Sequence, residues 1–149
     1  MKADILKGWT DYLNKNEYVF NVDEKKCSIF FHKNYECVDG LCSVEIKVCD
    51  NNYCAYVRLP VLIKESNLEQ VLDYIFMANA NPMFAHFAYN YETNDFFCVH
   101  GTFCDTLTDE IIDLTFDGVQ AFLRAFYRGL QLVSEENISA RDAYEKGFE

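Results

Sequence analysis

The chain has 149 residues, half of them hydrophobic and 16% aromatic, with 13 Lys+Arg against 24 Asp+Glu for a formal net charge of -11. So much apolar side chain in one domain-sized length excludes a disordered or collagen-like polymer, as do the low counts of six Gly and two Pro. The negative balance and the lack of a basic stripe exclude phosphate-backbone binding, so no nucleic-acid partner is expected, and no apolar run is long enough to span a membrane.

In chain order, the first segment predicts a helix over residues 3–14, because Ile5, Leu6, Trp9, Tyr12 and Leu13 recur at three- and four-residue spacing. Strand-like runs follow over residues 18–22, 27–33, 42–49 and 53–59. The third alternates strictly, with Val44, Ile46 and Val48 on one face and Ser43, Glu45 and Lys47 on the other. The fourth sets Ala55, Val57 and Leu59 against Cys54, Tyr56 and Arg58, and Pro60, which lacks an N–H, ends it.

A second helix is expected from Ser66, where Ser66-Asn67-Leu68-Glu69 has the form of a capping box and Asn79-Ala80-Asn81-Pro82 supplies a stop. A hairpin follows, residues 84–91 and 96–103, with Phe84 and Ala88 on one face and Ala85, Phe87, Tyr89 and Tyr91 on the other. A sheet with helices on one side should be polar outside; this hairpin is apolar on both faces, so its second face needs cover from within the chain or from another copy. A long helix is predicted over residues 109–133, with Thr108 as its cap and a wide apolar stripe through Val119, Phe122, Phe126, Leu130 and Val133. Gly118 and Gly129 within it mark a bend or a close approach. The fold class is therefore α+β, an antiparallel sheet with helices on one face in the order α-β-β-β-(β)-α-β-β-α. It forms one domain over 1–149: an N-terminal helix (1–14), an α+β core (15–133) and a tail (134–149) that is a last short helix, with Tyr144 and Phe148 on its apolar side, or a mobile end.

The seven cysteines are odd in number, and without a signal sequence at the N-terminus they read as free thiols in a reducing cytoplasm. Cys37-x4-Cys42 and Cys49-x4-Cys54 each straddle a turn, which leaves a four-thiolate zinc site as an alternative. Cys98-Val99-His100 puts a thiol and an imidazole on one sheet face, too far apart along a single strand for a nucleophile–base pair. Asp109, Glu110 and Asp113 read as charges favourable at a helix start, and no opposed pair of carboxylates is apparent. No catalytic residue and no cofactor is expected. Ten Tyr and thirteen Phe are the stronger signal, because aromatic surplus marks interfaces as well as cores. The expected interface residues are Phe87, Tyr89, Tyr91, Phe96, Phe122 and Phe126.

Three stretches carry a resemblance to a known family. They are Val57-Arg58-Leu59-Pro60 passing into Leu68, Val71, Leu72 and Ile75; Ala78-Asn79-Ala80-Asn81 leading into Phe84-Ala85-His86-Phe87; and His100-Gly101-Thr102-Phe103 followed by Leu107-Thr108, Glu110 and the long helix. Over most of residues 15–133 this order resembles the YbjN-like domain and the related type III secretion chaperone-like fold; the cysteine load and the tail depart from it. The resemblance implies a non-enzymatic protein: acidic homodimers that hold an extended client segment on the chaperone side, stress-linked regulators without an assigned reaction on the YbjN-like side. The expectation is a cytoplasmic homodimeric binding module for a client or partner protein segment. A thiol or zinc protein and a small-molecule-binding domain are the alternatives.

Overall fold

The computed structural model describes residues 2–147. Helix α1 (Lys2–Lys15) is followed by strands β1 (Phe20–Asp23), β2 (Ser28–Asn34), β3 (Leu41–Val48) and β4 (Asn52–Leu59). Helix α2 (Leu68–Asn79), strands β5 (Ala85–Asn90) and β6 (Asp95–Phe103), and helices α3 (Asp109–Glu135) and α4 (Ala140–Lys146) complete the chain. The six strands form one antiparallel sheet in the order β1-β2-β3-β4-β6-β5. The α+β class expected from the sequence is the class observed. Phe148, placed by the sequence on the tail's apolar side, lies outside the described residues.

The periodicities explain the elements. In β3, Cys42, Val44, Ile46 and Val48 are buried while Leu41, Ser43 and Lys47 are exposed, the alternation a half-covered strand requires. In β4, Tyr53, Ala55, Val57 and Leu59 are buried on the same side. All helices pack on that side. Trp9 of α1 meets Tyr53 and Phe116 edge-on, at ring-centre distances of 5.2 and 5.7 Å. Helix α3 runs 27 residues, about 40 Å at 1.5 Å per residue, and touches α1, α2, α4 and the β5–β6 strands. These contacts account for the wide apolar stripe that the sequence predicts. The width serves several neighbours at once, α1 on one flank and α2 with α4 on another, so Phe122, Phe126, Leu123 and Tyr127 are all buried within this one chain.

Caps divide between expected and unexpected. The Thr108 hydroxyl accepts from the Ile111 N–H, as the sequence predicts. The Ser66–Glu69 capping box does not form: residues 65–67 make a 3-10 turn, and α2 starts at Leu68 with no side-chain cap. Asn67 turns inward instead, and its amide donates to the Ser134 carbonyl at 3.1 Å, tying the start of α2 to the end of α3. At the other end of α2, Asn81 donates to the Met77 and Ala78 carbonyls, which gives the expected stop a mechanism. The tail resolves into α4, whose Ser139 hydroxyl accepts from the Asp142 N–H.

Candidate functional site

Among the described residues the helices lie on one side only, and no element covers the second face of the sheet. Strand register aligns its side chains in rows. One row runs Phe30, Glu45, Tyr56, Val99 and His86; the next runs His32, Ser43, Arg58, Phe97 and Ala88. Tyr56 and Phe97 meet edge-on at 6.3 Å and form a central aromatic ridge. Depressions of about 680 and 650 Å³ flank this ridge. The first is bounded by Val19, Phe30 and the Arg58–Asp95 ion pair at 2.9 Å, the second by Ala88, Tyr91 and Glu92. The Ser28 hydroxyl donates to Glu45 at 2.9 Å and holds that carboxylate between Phe30 and Tyr56. Aromatic rings are thus framed by a few oriented charges.

The six aromatic residues expected at an interface take different places. Phe87, Phe96, Phe122 and Phe126 are core: Phe87 and Phe122 lie 4.8 Å apart, and Phe122 and Phe126 4.9 Å. Phe87 and Phe96 lie on the side of the sheet that the helices cover, Phe122 and Phe126 lie on the buried stripe of α3, and none of the four offers surface to a partner. Tyr89 is half-buried on the same side, stacked on Phe96 at 4.7 Å, and its hydroxyl donates to the Asn94 side chain. Tyr91 stands in the β5–β6 turn, 74% exposed, and lines the depression beside Ala88 and Glu92 together with Tyr89. Sequence reasoning missed Phe30, Tyr56 and Phe97 as site residues. Strand alternation carried the signal for Tyr56, which already stood opposite Ala55 and Val57, but which side the helices would take was not readable.

The cysteines of the zinc alternative do not converge. Cys42 is buried on the helix side at the start of β3, Cys49 follows the far end of that strand, and Cys54 lies on the uncovered face. Seven residues of strand separate Cys42 from Cys49, roughly 23 Å. Burial pushes the Cys42 thiol up to about 11 and raises Cys98 strongly, with neighbouring thiols adding to both. Among the described residues no group of three or more His, Cys, Asp or Glu is placed to hold a metal ion. His100 is buried on the helix side, its Nδ1 3.3 Å from the Thr102 hydroxyl, and burial lowers its pKa.

No protein-family model matches the chain, and no curated protein matches it in sequence. Its fold is similar to that of YbjN. The crystal structure of YbjN from E. coli, a proposed transcription regulator, aligns with 79% of this chain and 87% of its own at a TM-score of 0.56 and 12% identity. At that identity the likeness is one of fold, and it supports the YbjN-like part of the resemblance read from the sequence. Among the described residues, no helix is long and apolar enough to cross a membrane.

Proposed function

We propose that the protein is a non-enzymatic binding module, chaperone-like or regulatory, that works in the cytoplasm as a homodimer joined through the uncovered sheet face. The observation that carries this reading is the Phe30, Tyr56 and Phe97 tract on a sheet face that no helix of the chain covers. Strands about 4.8 Å apart and about 3.3 Å per residue make that face roughly 25 Å on a side, or roughly 600 Å². This approaches the ~800 Å² that a standard interface draws from each partner. A second copy presents the same aromatic ridge, and sheet-on-sheet packing with interdigitated side chains is a stable layer arrangement. Seven unpaired cysteines suit a reducing compartment. The YbjN fold, borne by a proposed regulator, is in keeping with a role in binding rather than in a reaction.

Size-exclusion chromatography with light scattering tests it. The wild-type chain is expected to be a dimer at tens of micromolar, and Tyr56→Asp with Phe97→Asp a folded monomer with unchanged circular dichroism. A wild-type monomer at that concentration overturns the reading, as does an undiminished dimer of the double variant.

A further inference from the structure

A second apolar surface lies away from the sheet face, at the end of the sheet where β6 gives way to α3. Phe84, which precedes β5, Phe103, which ends β6, and Leu114, in the second turn of α3, are 87%, 80% and 66% exposed. Single exposed apolar residues are ordinary; three from different elements converging on one trough are not. The trough holds about 400 Å³, its walls are mostly apolar, and Ile111 and the buried His100 ring lie in it, the latter 6.4 Å from the Phe84 ring centre.

Among the described residues, three unpaired acids stand beside it. Helical spacing puts Glu110 and Asp117 on the same face of α3 as Leu114, one turn before and one turn after. Asp105 follows Phe103 by two residues, and all three acids are exposed. Acids on the α1 side of the same helix have partners: Lys15 pairs with Asp109 at 2.8 Å, and the Tyr12 hydroxyl donates to Asp113 at 2.5 Å. Among the described residues, no ion pair neutralises Asp105, Glu110 or Asp117. An apolar trough with an unneutralised acidic rim complements apolar side chains flanked by Lys or Arg.

We propose that this trough docks a basic amphipathic segment of a partner protein, with apolar side chains between Phe84, Phe103 and Leu114 and cations against Glu110 and Asp117. It lies at the end of β6, shares no lining residue with the two depressions beside Tyr56 and Phe97, and does not require the dimer. The acidic rim opposes an anionic membrane, and it opposes the same rim of a second copy.

The test is fluorescence anisotropy with a labelled Leu/Lys amphipathic peptide at low salt, against a Ser/Lys peptide of equal charge and a Leu/Glu peptide of equal hydrophobicity. The Leu/Lys peptide is expected to bind at least about tenfold tighter than either control. Phe103→Ser with Leu114→Gln should weaken it about tenfold, and Glu110→Gln with Asp117→Asn several-fold with a shallower salt dependence. These side chains are exposed, so the variants should keep the wild-type circular dichroism. Tyr56→Asp with Phe97→Asp should leave peptide affinity unchanged even where it abolishes the dimer, which separates failure here from failure of the dimer reading. Equal binding of the Ser/Lys peptide would reduce the effect to diffuse surface charge and overturn the proposal. Unchanged affinity in the trough variants overturns it, as does loss of the dimer in those variants without loss of peptide binding.

Discussion

Tyr74 and Gly129 show how closely single positions are fitted. The Tyr74 hydroxyl donates to the Phe126 carbonyl at 2.7 Å, inside α3, and can do so only because residue 129 has no side chain. A Cβ added at Gly129 would stand 2.1 Å from the Tyr74 oxygen. The second glycine of α3 has the same meaning, since a Cβ at Gly118 would stand 2.9 Å from the His100 ring. Of the two readings the sequence allowed for these glycines, close approach is the one the packing uses. Replacing Gly by Ala in a helix ordinarily stabilises by about 1 kcal/mol. Here Gly129→Ala is expected to destabilise by about 1–3 kcal/mol, because overpacking must displace Tyr74 and break its hydrogen bond. Urea denaturation reads this as a lower midpoint; a higher midpoint would show that the helix yields easily at that point.

At the scale of elements, the edge strand β5 needs explanation. Unpaired edge backbone invites pairing with another chain. The last residue of α2 answers this: the Asn79 amide donates to the Phe87 carbonyl at 2.8 Å, and its oxygen accepts from the Phe87 N–H at 2.7 Å. A side-chain amide thus imitates a neighbouring strand for one residue and closes the middle of the edge. Asn79→Ala is expected to cost about 1 kcal/mol, the worth of a partly exposed hydrogen-bonded pair, and to raise aggregation on heating, seen as earlier onset of light scattering. Asn79→Asp keeps the acceptor and loses the donor, so it should fall between the two. The sequence marked Asn79 only as part of a helix stop; its pairing with Phe87 depends on how α2 turns back beside β5, which no local pattern specifies.

For the whole molecule, one buried imidazole links the packing to pH. Burial holds the His100 pKa below its ordinary value, and His86 nearby lowers it further. The unfolded chain therefore takes up a proton at His100 at a higher pH than the folded chain does. This contribution to stability is complete above about 6.5 and is lost as pH falls from there through the lowered folded value. The thermal midpoint is expected to be level from about pH 7 to 8 and to decline below about 6.5. His100→Gln should reduce that first part of the decline and leave a remainder from His86, whose pKa burial lowers as well. Differential scanning fluorimetry across the range checks both, and an identical profile in wild type and variant would remove His100 as the cause.

Much of this protein is written in short-range pattern. The alternation of β3 and β4, the stripes of α1 and α3, the Thr108 cap and the hairpin between β5 and β6 all follow from periods of two or about 3.6 residues, which any window of a dozen residues displays. Composition alone likewise established a chain with ample core and a strongly acidic surface. What only the tertiary structure decided is which apolar surfaces are left over. Phe87 and Phe96 are indistinguishable by local pattern from Phe30, Tyr56 and Phe97; the former face the helices and the latter do not. The same holds for Cys42 and Cys54, on opposite faces of the sheet, and for Phe84, Phe103 and Leu114, brought together from three elements. The reason is physical. A residue's face is set by its own backbone, whereas its cover is set by distant segments through strand pairing and helix docking, contacts that no spacing within one element encodes.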